Sequence, residues 1–438
     1  MHRTIHRATL AIVWLATCCG LCVAQPDLPF RKIKGKHLTL VTDVASSPGI
    51  DELVDVFDAA VPQWCEYFGV AVDSVKDWHQ TGYLIVSKER FAQAGLLPDD
   101  LPRFLNGYQR GKELWLYAQP SEYYTRHLLI HEGTHAFVFN HLGTFGAPWY
   151  NEGIAEHFGT HRWKNGKLET RVMPDSKSEF PFWGRISILQ RDRTAGGEQP
   201  IDNVLRFPSD TFSNNRAYAW SWGLVAMLDN HPLFQQRFRS LSKHLRTDQA
   251  TFTRAFRSMF KQDMLQVHDA WDLFVANVEY GYDVTLDTVT YASPKKMSPG
   301  NNRAKVDVSK GWQSSGLQVQ AGKKYRIASR GRFVVRKDGD EVWWSEPGGV
   351  TIEYWNGQPL GILQAAIRPV TVRSVKVSVA EESTEASKSG FAAPIAIGLR
   401  SELTAPSTGI LFFRINEMPG RLGDNHGDVT ISVKPLPN

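Results

Sequence analysis

Residues 121–141, SEYYTRHLLIHEGTHAFVFNH, and residues 149–156, WYNEGIAE, decide how this chain is read. The first stretch keeps helical spacing from end to end. Ser121 stands where an N-cap belongs, and Glu122 follows at the positive end of the helix. Leu128, Leu129 and Ile130 supply an apolar face. His131-Glu132-Gly133-Thr134-His135 lies within this helix. Positions i and i+4 differ by about 40° around the axis and about 6 Å along it. His131 and His135 can therefore offer two imidazoles to one tetrahedral zinc ion, Zn2+. Zinc lowers the pKa of a water toward about 7 and polarises a carbonyl, and Glu132 is placed to act on that water as general base. Only three of the five positions are constrained, so the reading turns on a third ligand.

Two residues are candidates for it. His141 lies ten residues after His131, a spacing that works when the chain turns back near position 138. Val138 and Phe139 break nothing there, and a continuous helix carries His141 about 9 Å beyond His135. His141 is expected at the surface or in a cap. Glu152 is the other candidate. Sixteen residues lie between it and His135, enough to finish the helix, turn through Gly143 to Pro148 and enter a second, antiparallel helix. Glu156 is one turn later on the same face and is expected to accept the free N–H of a ligand histidine, fixing its tautomer.

HEGTH followed by WYNEGIAE resembles the gluzincin metallopeptidases, the thermolysin- and aminopeptidase-like group. The resemblance implies His131, His135 and Glu152 as zinc ligands, Glu132 as general base and Glu156 as the acid behind the ligands. The connection to the glutamate is two or three residues shorter than is usual there. That points to the compact, peptidase-MA-like branch found among bacterial exported proteins, and the likeness extends over about residues 36–280. Peptide hydrolysis also needs a donor for the developing oxyanion. Similar peptidases place a tyrosine or histidine where Tyr218-Ala219-Trp220-Ser221-Trp222-Gly223 follows the motif. Tyr218 is the candidate, with His231 as the alternative. Trp220 and Trp222 are read as core, and His157 and His161 as helix-surface residues.

Around this centre, residues 36–46, 82–87 and 113–117 read as strands, and residues 51–68 as a helix broken or kinked at Pro62. Residues 149–159 read as a helix, and 216–280 as helical with an interruption at His231-Pro232. After about residue 284 the pattern changes to short alternating runs, GLQVQAG, KYRIASRG, GVTIEYWNG, GILFFRIN and DVTISVKP, an all-β signature. The expected organisation is an α+β gluzincin-type metallopeptidase domain at 30–285, a linker at 286–304 and an all-β sandwich at 305–436.

Residues 409–433, GILFFRINEMPGRLGDNHGDVTISV, place two strands around a loop of Glu, Asp, Asn and Gly. Oxygen donors on a glycine-bent loop suit calcium, Ca2+. Asn416-Glu417-Met418-Pro419-Gly420 and Asp424-Asn425 resemble the loop of the calcium-dependent galactose-binding lectins of the PA-I type. The resemblance implies a lectin-like fold, side-chain oxygens from Glu417, Asp424 and Asn425, and a backbone carbonyl from Arg421. Two departures bear on sugar recognition: Glu417 stands for an aspartate and Asp424 for an asparagine. Trp343, Trp344, Tyr354 and Trp355 are either sugar-stacking or core residues.

At the other end, His2, Arg3, His6 and Arg7 precede an apolar run from Ala8 to Val23. This reads as a signal peptide at 1–24, cut after Ala24, and directs the chain to the periplasm or the exterior. Leu15-Ala16-Thr17-Cys18 is close to a lipobox, which makes a lipid anchor the alternative. Cleavage removes Cys18, Cys19 and Cys22 and leaves Cys65 without a disulfide partner. It also removes Arg3 and Arg7, taking the formal net charge from +5 to +3, too little for a nucleic-acid partner. No later segment is apolar enough to span a membrane. The sequence thus reads as an exported zinc peptidase acting on a peptide or protein, with a β domain for calcium and a glycan. Its rivals are a non-catalytic secreted carbohydrate-binding protein on a metallopeptidase scaffold, and a structural protein with a zinc-stabilised core.

Overall fold

The computed structural model describes residues 29–143, 146–369 and 390–437, so the expected signal peptide and lipobox lie outside the described residues. The chain is mixed α/β in its first part and β-rich in its last. β1 (Arg31–Lys34), β2 (Leu38–Thr42), β3 (Gln80–Ile85), β4 (Gly107–Arg110) and β5 (Glu113–Tyr117) form one sheet in the order β1-β2-β3-β5-β4. β2, β3 and β5 run parallel, while β1 and β4 add antiparallel edges. Period-2 alternation sorts the side chains. Leu38, Leu40, Leu84, Leu114 and Leu116 face the main core, whereas Val41, Tyr83, Ile85 and Trp115 meet Phe91 and Leu97 on the other side.

The helices are α1 (Pro48–Asp51), α2 (Leu53–Phe68), α3 (Lys88–Gln93), α4 (Glu122–Leu142), α5 (Pro148–Gly159), α6 (Arg185–Thr194), α7 (Ile201–Val204), α8 (Asn215–Asn230), α9 (Gln235–Ser240), α10 (Gln249–Met259) and α11 (Met264–Asn277). The expected break at Pro62 does not occur. α2 continues to Phe68 and stops at Gly69, whose φ of 68° is left-handed. Trp64, Cys65, Tyr67 and Phe68 beyond the proline are all buried. Their packing outweighs the backbone hydrogen bond that proline removes.

α4 starts where its cap residue stands, with Ser121 Oγ accepting from the Tyr124 N–H at 3.1 Å. Glycines set how closely α5 lies against its neighbours. A Cβ on Gly159 would come within 2.8 Å of the His127 ring on α4. One on Gly153 would come within 2.7 Å of the Ser221 carbonyl oxygen on α8. α5 is thus wedged between α4 and α8 with polar residues facing both, and this places its glutamates against the histidines of α4. The hairpin β6 (His161–Lys164) and β7 (Lys167–Thr170) follows.

The C-terminal strands are β8 (Asn302–Asp307), β9 (Gln313–Val319), β10 (Lys324–Arg330), β11 (Phe333–Asp338), β12 (Glu341–Ser345), β13 (Val350–Trp355), β14 (Gln358–Leu360), β15 (Leu363–Pro369), β16 (Ile395–Ala396), β17 (Arg400–Thr404), β18 (Gly409–Ile415) and β19 (Asp428–Pro435). Two open antiparallel sheets, β17-β10-β19-β8 and β16-β15-β18-β9, send alternate residues into one shared core. β11–β12 and β13–β14 are separate hairpins. Residues 286–304 run against this part: Thr290 bridges Gln313, and Lys295 bridges Leu317. Arg368 pairs with Asp269 of α11 at 2.5 Å, and Arg414 with Asp287 at 3.7 Å, across a seam that also buries Leu273, Trp312, Phe391 and Phe412. Among the described residues no helix is long and apolar enough to cross a membrane.

Candidate metal centre

α4 carries His127, His131 and His135 at successive four-residue steps, and α5 faces them with Glu152 and Glu156. His131 Nε2 and His135 Nε2 lie 3.1 Å apart, and each is 3.4 Å from Glu152 Oε2. A tetrahedral metal with bonds of about 2.0–2.1 Å holds its donors about 3.3–3.4 Å apart. The three atoms therefore already form a triangle of the size zinc requires. The backs of the rings are arranged to match. His135 Nδ1 donates to Asn151 Oδ1 at 3.1 Å, which leaves Nε2 as the lone-pair nitrogen. His131 Nδ1 lies 3.4 Å from Glu156 Oε1, a charge contact without hydrogen-bond geometry, and the carboxylate there favours the N–H on Nδ1. Two such lone pairs at 3.1 Å require a cation or a proton between them.

The electrostatics agree with a cation site. Burial opposes charge on His131, yet the carboxylates of Glu152, Glu156 and Glu132 raise it to about 10. Glu152 is lowered to about 2: burial opposes this, and the two imidazoles outweigh it. Burial raises Glu132 above the usual carboxyl range, with the two histidines opposing and Glu152 and Glu156 reinforcing. The Glu132 carboxylate sits beside β4, where a Cβ on Gly107 would approach Glu132 Oε1 to 2.5 Å. The base candidate is thus held between α4 and the edge strand of the sheet.

Tyr218, on α8, joins the cluster. Its ring centroid is 6.0 Å from that of His131. Burial raises its phenol above the usual range, and Glu152, Glu132 and Glu156 add to the rise, so it remains a proton donor. Arg185, at the start of α6, is buried and grips Glu156 with two bonds, Nε to Oε2 at 2.8 Å and Nη2 to Oε1 at 2.9 Å. His127, His131 and Glu156 form a second group with metal-like spacing. There Arg185 already supplies the positive charge, so the group at Glu152 is the better cation site.

Other histidines lie elsewhere. α4 continues through His141, whose ring packs on Trp78 and Phe137. His231 ends α8, stacked on Phe234 with its centroid at 4.0 Å, and burial lowers it to about 4. His157 and His161 correct the surface expectation, because both are buried. His157 reaches Asp229 at 3.2 Å. His161 opens β6 rather than lying on a helix, and it stacks on Tyr123. Trp220 and Trp222 are core residues. The sequence reading did not single out Asn151, His127 or Arg185. Asn151 and His127 were within reach, one beside Glu152 and the other one turn before His131. Arg185 has no local signal.

The C-terminal loop residues gather around a cavity of about 290 Å³ lined by Arg336, Glu417, Gly420, Arg421, Gly423 and Asp424. Glu417 is buried and its Oε2 accepts from Asn425 Nδ2 at 2.7 Å. Glu417 Oε1 and Asn425 Oδ1 are both buried with no hydrogen-bond partner among the described residues. Two orphaned acceptors side by side fit a cation. Burial raises Glu417 to about 8 against the Asn425 bond, and Asp424 adds to the rise. Asp424 Oδ2 is occupied by the Lys337 N–H at 2.8 Å, and the Arg421 side chain reaches Glu353. Trp344 and Tyr354 are exposed, Trp343 is half-buried against Arg336, and Trp355 donates to Glu279 Oε1 at 2.7 Å.

No family model matches the chain, and no curated protein does. The solved structures similar to it include one described as "EclA N-terminal domain; PllA-like lectin". That structure is 17% identical with a TM-score of 0.21, and the match covers 31% of this chain and 95% of that one. Such a score is too low to carry a fold assignment.

Proposed function

We propose that the chain is an exported zinc-dependent peptidase of the gluzincin type, with a C-terminal lectin-like part that takes calcium and a carbohydrate. One observation carries the peptidase reading: Nε2 of His131, Nε2 of His135 and Oε2 of Glu152 are spaced at 3.1, 3.4 and 3.4 Å, with a buried carboxylate, Glu132, beside them. When bound, zinc supplies Lewis acidity to the scissile carbonyl and to water.

The residues of the chain do the rest. Among the described residues β4 is the last strand of its sheet, and that edge can take an extended peptide by backbone pairing. Glu132, beside Gly107, removes the proton from the attacking water and returns it to the leaving amine. Tyr218 donates to the oxyanion. Asn151 and Glu156 hold the two imidazoles in the tautomer that points Nε2 inward. The orphaned oxygens of Glu417 and Asn425 support the calcium reading, and the exposed Tyr354 offers a stacking face for a sugar.

The test is digestion of a mixed peptide library by wild type and Glu132→Gln, with zinc content measured for both. The proposal expects Glu132→Gln to keep zinc and to lose roughly 10²–10⁴-fold in rate. Equal rates for the two proteins overturn it.

A further inference from the structure

We infer that Arg185 is a positioning residue for the metal centre, one whose guanidinium fixes the carboxylate of Glu156 behind His131 and the ring of Tyr218 beside it. This rests on the zinc reading of His131, His135 and Glu152. Glu156 Oε1 is the crowded atom: it faces Arg185 Nη2 at 2.9 Å, His131 Nδ1 at 3.4 Å and His127 Nε2 at 3.5 Å. Two imidazoles compete for one oxygen, so the orientation of the carboxylate decides which is served. Arg185 settles the orientation by binding both oxygens at once, a geometry a planar fork provides and a single ammonium does not.

The guanidinium is itself held from outside. Nη1 donates to the Trp183 carbonyl at 3.2 Å and Nη2 to Tyr124 Oη at 3.3 Å. Gly184, with a φ of 63°, supplies the left-handed turn that aims α6 at the site. Tyr124 in turn stacks on His127 with the rings 8° from parallel. On the open side, Arg185 Cζ lies 5.9 Å from the Tyr218 ring centroid. One cation thus lies against both the Glu156 carboxylate behind His131 and the ring of Tyr218. A buried ion pair alone is a poor source of stability. This one sits where its geometry reaches His131.

The experiment compares wild type, Arg185→Lys and Arg185→Met. Zinc affinity is read by competition with a chromophoric chelator, and the d–d spectrum after cobalt substitution reports ligand geometry. Folding is checked by circular dichroism. Loss of roughly 10–100-fold in zinc affinity in Arg185→Met, with a changed cobalt spectrum and an intermediate loss in Arg185→Lys, supports the inference. Should Arg185→Met fail to fold, Arg185→Lys decides, because it keeps the charge and loses the fork. Folded variants whose zinc affinity stays within twofold of wild type and whose cobalt spectra are unchanged overturn the positioning role and leave the zinc reading standing. A wild type that binds no zinc overturns both, so the two failures are distinguishable.

Discussion

Zinc binding should expel a proton, and the structure sets how strongly. In the metal-free protein burial works against a charged His131, but Glu152, Glu156 and Glu132 hold its pKa at about 10. At pH 7 the ring is therefore protonated, and a metal must displace that proton to reach Nε2. Three pKa units correspond to roughly 4 kcal/mol, so zinc affinity should rise about tenfold per pH unit from 7 toward 9. Glu152 adds no proton of its own, because it is held at about 2. The same raised value stabilises the metal-free fold below about pH 6.5, and that contribution is lost as pH rises through about 10. Calorimetric zinc titrations at pH 7 in two buffers of different ionisation enthalpy read the proton count directly. About one proton released per zinc is expected. No proton release, together with a Kd that is flat from pH 6.5 to 8, would refute the proposed charge arrangement.

Three further outcomes follow from other parts of the chain. Gly153→Ala would force α5 off the Ser221 carbonyl and Val225, both within 2.7 Å of the new Cβ, and should cost about 1–3 kcal/mol. Urea unfolding checks the loss; an unchanged midpoint would show that α5 is not tightly wedged. Asp287 is raised by burial to about 6 despite Arg414, so the folded state holds the extra proton between about pH 4 and 6. Its contribution to stability is present below about pH 4 and falls away as pH rises through 6, and the difference in Tm between wild type and Asp287→Asn should track that window. Parallel profiles would contradict it. In the C-terminal cavity, calcium must compete with the proton on Glu417, raised to about 8. Calcium should therefore lift Tm more at pH 9 than at pH 7 in wild type and not at all in Glu417→Gln. An equal lift in the variant would place the cation elsewhere.

The centre was legible in the sequence because helix geometry is local. A four-residue step fixes His131 against His135, and Ser121 marks where α4 begins. Glu152 needed one further inference, that residues after Gly143 return antiparallel, and α5 lies where that requires. What stayed hidden depends on packing between distant segments. β4 is only four residues long and carries no strand signal of its own until β5 is set beside it. α5 carries Gly153, Ala155 and Gly159, small residues that look like a weak amphipathic face. They are instead the contact points of a helix buried on two sides, and that is why His157 is inside, its Nε2 paired with Asp229 from α8. His161 opens a strand because the chain leaves the helix at Thr160. Pro62 was read by its local cost alone, whereas burial of Trp64 and Phe68 beyond it carries the helix through. Arg185 has no neighbour in sequence that announces its role, and only the fold brings it to Glu156.

The most direct test is the metal content of purified protein, measured by elemental mass spectrometry for wild type and Glu152→Ala side by side. About one zinc per wild-type chain, lost in Glu152→Ala, is the expected result. Zinc retained in the variant would move the third ligand away from Glu152, and no zinc in either protein would contradict the metal centre itself.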